Sequence, residues 1–400
     1  MILSLEPGPT SVDPRVVQAM AQPTIHHLSA EFEVSLDRAA ALLARLFGTE
    51  SEVVVLPATG RGGVEAVFTS LTQDGRGVVV ATNGFFGRMM AAIARSTGAH
   101  VVEVEHQPGE PLAIDRIRHV LAVEDIGLLA LVHCETSTGM LNPMADLADA
   151  AHDHDALLFV DAVSSLGGVA VDMDALDIDV CVSAGQKAVG AIGGVSFAAM
   201  RARARAVMDS RSEHARGSYL DLDNWWAQWL PADRGGRMNS GYRRLPWSMP
   251  SQPMAALLEA CRLAVECEGM DDRFRRHAAA GAATRAVLAE LELRLLPAEV
   301  HASPTVTAFL VPAAEDAVVV VERLSKRHGV VLAAGMGDMR HRVLRIGHMA
   351  ETARPAPLLQ ALAAVETELA GPNGTKALSS FLPAWTASAT SSSVYPRPPM

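Results

Sequence analysis

Between about residues 35 and 200 the chain alternates short β-rich apolar runs with stretches of helical period. The runs are Val53 to Val55, Val78 to Ala81, Val101 to Val104, Leu128 to Val132, Leu157 to Val160 and Val180 to Val182. Helix candidates lie between them, among them Val34 to Phe47, Gly87 to Thr97 and Pro143 to His154, each polar on one side. Parallel strands need a crossover connection, usually a helix, and a sheet crossed in this way is covered on both faces. The alternation therefore predicts an α/β fold with a mostly parallel sheet between helices. Active-site groups then belong at the carboxyl ends of the strands.

Two of those ends carry an acid and an amine. Asp161 closes the run Leu157 to Val160, and Lys187 lies 26 positions further on, in Ser183-Ala184-Gly185-Gln186-Lys187 after Ile178 to Val182. Such a pair suits pyridoxal 5'-phosphate (PLP), which needs an imine-forming lysine and an acidic partner for its ring nitrogen. A lysine after a strand is by default a solvated charge, so the neighbouring motifs decide. Thr59-Gly60-Arg61-Gly62-Gly63 follows a strand and opens a helix, where backbone N–H groups could cradle a phosphate; in isolation it is a glycine-rich turn. Asn83-Gly84-Phe85-Phe86-Gly87 offers an aromatic face to a planar ring or to the core. His133-Cys134-Glu135-Thr136-Ser137-Thr138-Gly139 ends a strand with hydroxyls suited to a phenolate oxygen or to a helix cap.

The ordered series HCETSTGMLNP, VDAVSSLGGVAVDMDALDIDV and SAGQKA resembles the class V, fold-type I PLP aminotransferases of the alanine/serine–glyoxylate group. The likeness runs from about Pro7-Gly8-Pro9 to Leu344-Arg345-Ile346-Gly347-His348-Met349. It implies a large domain with a mostly parallel seven-stranded sheet, a smaller α+β C-terminal domain and a homodimer with its active site at the subunit interface. By the same resemblance, Lys187 is the imine-forming lysine and Asp161 keeps the pyridine nitrogen protonated. Val163 and Phe86 sandwich the ring, Thr136 reaches the ring oxygen, and Thr59, Gly60, Arg61 and Gln186 hold the phosphate. Arg345 receives the substrate carboxylate, with Gly8 and His27 beside it. His27 sits in His26-His27-Leu28-Ser29, similar to a Gly-His-Arg-Ser motif but with His26 in place of the glycine. Relatives send a Tyr and a Thr to the partner's phosphate; here, in Leu245 to Pro250, Ser248 keeps that role. Arg61 departs from the alanine–glyoxylate pattern toward the ureidoglycine–glyoxylate enzymes.

The implied activity is transfer of an amino group from a serine- or alanine-type amino acid to glyoxylate or a similar 2-oxo acid by a ping-pong mechanism. The alternatives are a ureidoglycine–glyoxylate aminotransferase and a lyase or racemase on the same fold. A net charge of -11 opposes phosphate-backbone binding, so small molecules are the expected partners rather than nucleic acid. No uncharged run spans a membrane, the opening MILSLEPGPT shows no leader, and Cys134, Cys181, Cys261 and Cys267 lack metal or disulfide spacing. These features predict a cytoplasmic protein without a metal site. His152-Asp153-His154 reads as a solvated turn.

Expected boundaries are an N-terminal arm over 1–20, a PLP-binding domain over 21–265, a small domain over 266–371 and a disordered tail over 372–400. The tail holds nine Ser/Thr and five Pro in 29 residues and no acid, which favours disorder. From Arg211 to Met249, four of the five tryptophans gather in a segment expected to pack irregularly against a neighbour. A long helix is expected from Gln252 to about Leu293, followed by strands near Thr305 to Val311 and Arg342 to Ile346, with a helix near Asp316 to His328. The runs Arg201-Arg203-Arg205 and Arg273-Arg275-Arg276 read as solvated helix faces.

Overall fold

The alternation folds into seven strands: β1 (Val53–Leu56), β2 (Gly77–Thr82), β3 (Val101–Glu105), β4 (Ile126–Val132), β5 (Leu157–Asp161), β6 (Val180–Ala184) and β7 (Ser196–Met200). The structure, a computed structural model, describes residues 2–73, 75–211, 218–238, 243–369 and 377–390. The strands form one sheet in the order β1-β7-β6-β5-β4-β2-β3. Five neighbouring strands pair in parallel, while β7 runs antiparallel to both β6 and β1. Because β7 alone is reversed, β1 and β6 point the same way. The loops leaving β1, β5 and β6 therefore open on one edge of the sheet.

Strand β7 escaped the sequence reading because Ser196-Phe197-Ala198-Ala199-Met200 lacks the β-branched residues that mark the others. Helix Ala30–Phe47 begins at Ser29, whose side chain accepts from Phe32 N–H, and buries Phe32, Leu36, Leu43 and Phe47 in the large apolar core. Pro143 to His154 yields only Leu147–His152, since Asp146 at its head takes φ 62°, outside the helical region. His152 lies against acids rather than water: its ring meets Asp179 at 2.7 Å and Asp177 at 3.1 Å.

A second apolar cluster, containing Ala280, Val287, Phe309, Leu324, Leu344 and Leu362, belongs to the C-terminal part. Its sheet has Val343–Gly347 between Val306–Leu310 and Ala333–Ala334, all antiparallel. The N-terminus joins this unit: Leu3–Ser4 pairs in parallel with Val330–Val331, and Leu5 is buried in the same cluster. The long helix is interrupted, with Ser251–Arg262 and Met270–Glu290 separated by a π-helical stretch, Leu263–Glu268, and a break at Gly269.

Three expectations need correction. Trp225, Trp226, Trp229 and Trp247 are buried within this chain, with Arg205 and Arg243 stacked over Trp226 and Trp229; residues 212–217 and 239–242 of that segment lie outside the described residues. Neither arginine run is simply solvated, because Arg201 pairs with Asp177 and Arg273 is buried. Within the tail, Phe381–Ala389 is helical and Phe381 is buried beside Trp385, apolar anchors that the Ser/Thr count obscures. The remainder of the tail, 372–376 and 391–400, lies outside the described residues.

Candidate active site

Asp161 ends β5, and Lys187 lies three residues beyond the end of the adjacent parallel strand β6. The two side chains share one electrostatic environment. Burial pushes the Asp161 carboxyl up to about 7, against the Val163 N–H that donates to Oδ1 at 2.8 Å; Glu135 raises it further and Lys187 draws it down. Burial lowers the Lys187 amine to about 8, helped by the positive charge of Arg345 and opposed by Cys134 and Asp161. Both shifts follow from desolvating a charge, and both bring the group's titration near neutrality.

Lys187 Nζ donates to the carbonyl of Pro7, so the N-terminal segment closes one side of the pocket. Gly8, at φ +99°, permits that approach: a Cβ there would stand 2.5 Å from Nζ. Thr10 N–H donates to the Gln186 carbonyl at 3.1 Å, which fixes the same crossing.

Helix Gly60–Leu71, entered from β1 through Thr59, points its N-terminus at this edge. A Cβ on Gly60 would lie 3.1 Å from Val163 and 3.3 Å from Ala184, which places the helix start against the loops that carry Asp161 and Lys187. First-turn N–H groups have no intrahelical partners, and they make a ready anion site. Gln186 Oε1 is buried without a protein partner, and rotating its amide would turn a donor into that position. These groups fit a phosphate. Arg61 is exposed and forms no ion pair among the described residues.

On the other side, Phe86 opens helix Phe85–Ser96. Glu135, missed as a functional residue by the sequence reading, holds it there. Its Oε2 accepts from Phe86 N–H at 2.9 Å and Gly87 N–H at 3.0 Å, and its Oε1 accepts from Ser137 N–H at 3.0 Å and Ser137 Oγ at 2.5 Å. Burial drives this carboxyl upward in pKa, while three backbone N–H donors and a hydroxyl facing its two oxygens favour the acceptor-only anion. Its signal lay in the Glu135-x-Ser137 spacing at a strand end. Thr136, the next residue, is buried, and its carbonyl accepts from Arg345 Nη1 at 3.3 Å.

Arg345, on Val343–Gly347, also donates from Nε at 3.0 Å and Nη2 at 2.8 Å to the Ala334 carbonyl. Burial lowers its pKa to about 10, with Glu135 and Glu6 acting in the opposite direction. Thus Gly8 lies against Lys187, Val163 bonds Asp161, Gly60 faces Val163, Thr10 ties the N-terminal segment to Gln186, and Arg345 reaches Thr136, beside the Glu135 that holds Phe86. His27 and Ser248 do not join them within the chain: His27 stacks on His26 with ring centroids 4.9 Å apart, and Ser248 is exposed.

A part-buried amine and a buried acid at adjacent strand ends, beside a helix N-terminus on a mostly parallel sheet, define a fold-type I PLP-dependent enzyme. The chain belongs to the class-V aminotransferase family, whose description, Aminotransferase class-V, matches residues 4–336. It is 30% identical over 406 residues to the (S)-ureidoglycine–glyoxylate transaminase of Bacillus subtilis (strain 168), covering 94% of each chain. Alanine–glyoxylate aminotransferase of Rattus norvegicus is 30% identical over 347 residues, 86% of this chain and 82% of that protein. The solved ureidoglycine–glyoxylate aminotransferase of Bacillus subtilis superposes with a TM-score of 0.88 at 29% identity, covering 96% of this chain and 98% of that one. The protein is a PLP-dependent aminotransferase.

Proposed function

We propose that the enzyme moves an amino group from a small amino acid of the serine or alanine type to glyoxylate or a similar 2-oxo acid, in a ping-pong cycle. The reading is supported by buried Asp161 at the end of β5, Lys187 three residues past the adjacent strand β6 with Pro7 and Gly8 against its amine, and buried Arg345. When bound, PLP supplies a ring that withdraws electrons from the substrate α-carbon. Asp161 holds the proton of the ring nitrogen. Lys187, whose pKa near 8 leaves much of the amine neutral at that pH, takes the proton from the α-carbon and returns it. Arg345 receives the carboxylate of donor and acceptor in turn, a task its planar fork suits.

In this reading Thr59, Gly60, Arg61 and Gln186 hold the phosphate, Phe86 and Val163 flank the ring, and Thr136 reaches its ring oxygen. Gly8 leaves room for Lys187 beside the substrate. His27 and Ser248 serve a site across a homodimer interface. An apolar groove among helices Pro14–Met20, Ala30–Phe47 and Ser251–Arg262, lined by Ile25, Phe32, Leu36, Met254 and Leu258, supports that assembly. The change of core between Val265 and Ala280 supports a domain boundary near 265. Among the described residues no helix is long and apolar enough to cross a membrane. Four unbridged cysteines suit a reducing cytoplasm.

The broad match to the ureidoglycine enzyme favours one second reading, with ureidoglycine as the donor. A donor–acceptor screen decides between them. Serine, alanine and ureidoglycine generated in situ are mixed singly with holoenzyme while the cofactor spectrum is followed. A small amino acid that converts bound PLP to pyridoxamine phosphate, reversed by glyoxylate, is the expected result. Conversion by ureidoglycine alone replaces the first reading with the second. No half-reaction with any donor overturns both.

A further inference from the structure

Arg273 read as a solvated charge from its spacing, but only 5% of it is exposed, and its guanidinium reaches into the active-site loops. Nε donates to the carbonyl of Gly167 at 2.7 Å, in the loop that follows Asp161. Nη2 donates to the carbonyls of Ala188 at 2.6 Å and Val189 at 3.3 Å, the two residues after Lys187. Nη1 is paired with Glu268 at 2.8 Å, so the planar group has a partner on each nitrogen. We infer that Arg273 is a positioning residue that fixes the Asp161 loop and the Lys187 loop in one register. This deepens the proposed reading and rests on Lys187 being the reactive lysine.

The place of Arg273 in the fold argues for that role. It lies where the helical path passes from the large core, ending at Val265, to the small core, beginning at Ala280. Burying a guanidinium is expensive in free energy, and a well-packed apolar residue would serve mere cohesion at least as well. What an apolar residue cannot do is satisfy carbonyls from two loops at once. The approach is tight: Gly190 takes φ +84°, and a Cβ there would lie 3.0 Å from Ala350 and 3.6 Å from Arg273 Nη2. Arg276, one turn on, donates to the carbonyls of Ala350 at 2.7 Å and Ala353 at 2.9 Å, just beyond the strand that carries Arg345. The same helix thus sets the lysine loop and the segment after the arginine strand against one another.

The direction of the effect follows. Arg273 bonds the backbone carbonyls on either side of the site and not the Lys187 amine, so its influence is geometric. Losing it should displace the Lys187 backbone and slow every step that needs the amine at a set distance. It should leave carboxylate capture by Arg345 largely intact.

The test uses Arg273→Met and Arg273→Lys in the holoenzyme. Capture of PLP is trapped with borohydride and located by mass spectrometry, the pH midpoint of the bound-cofactor absorption band is recorded, and kcat and KM are measured. Arg273→Met is expected to slow trapping on the order of tenfold and to lower kcat by roughly tenfold to a hundredfold, with KM changed by less than about threefold. Its absorption midpoint moves. Arg273→Lys, which keeps the charge but not the planar fork, falls between. Wild-type trapping, midpoint and kcat in folded Arg273→Met, or in Arg273→Lys where the first does not fold, overturn the inference. A wild-type adduct at a residue other than Lys187 instead overturns the assignment of the lysine.

Discussion

Asp161 is held in a place that suits a charged partner and penalises the residue alone. Its folded-state pKa, near 7, lies well above the ordinary 3.8 because burial disfavours the anion. The folded chain therefore binds this proton more tightly than the unfolded chain. The resulting stability is complete below about pH 3.8 and is lost as pH rises through about 7. Asp161→Asn keeps an acceptor for the Val163 N–H while removing the buried charge. In cofactor-stripped protein at pH 8 the substitution is expected to raise the unfolding free energy by roughly 4 kcal/mol, the difference fading toward pH 4. Urea unfolding at the two pH values measures it. Transamination by the same variant should fall on the order of a hundredfold or more, because the ring nitrogen loses its anionic partner. Equal stability at pH 8 would mean that the wild-type carboxyl is not desolvated as described.

At the scale of elements, the start of helix Phe85–Ser96 depends on one buried anion. Glu135 accepts from four donors across both oxygens, so a glutamine must turn its own NH₂ toward either the Phe86 and Gly87 N–H groups or the Ser137 pair. Glu135→Gln is expected to cost about 2 kcal/mol in unfolding free energy through unsatisfied donors, and to weaken PLP retention about tenfold by releasing Phe86. Denaturant titration and cofactor dialysis check the two effects; unchanged retention would show that Phe86 stands without this cap. The legibility of the elements divides along the same line. Strands β4, β5 and β6, buried throughout, were plain in their apolar runs, as were Asp161 and Lys187 at their ends. Strand β7 was hidden by its small residues, and Glu135 and Arg273 by their charge, since local pattern assigns charges to solvent. Their burial depends on distant loops that supply the donors and carbonyls, information that no window of sequence contains.

For the whole molecule, the surface is where the proposed site extends beyond one chain. The groove among helices Pro14–Met20, Ala30–Phe47 and Ser251–Arg262 is lined by Ile25, Phe32, Leu36, Met254 and Leu258. Ser248, exposed, lies two residues before Pro250, the cap of the helix that forms one wall of that groove. A second copy seated there would cover the apolar residues and bring Ser248 toward the other chain's phosphate-binding helix. Ile25→Asp places a charge in such a contact and is expected to weaken it by roughly 3 kcal/mol, more than a hundredfold in dimer dissociation. Sedimentation at micromolar concentration should then find the 42.3 kDa chain as a monomer where the wild type sediments at twice that mass. Ser248→Ala should remain dimeric and lose PLP more readily. A wild-type monomer with full activity, or a Ser248→Ala protein with unchanged cofactor retention, would return the whole phosphate site to a single chain.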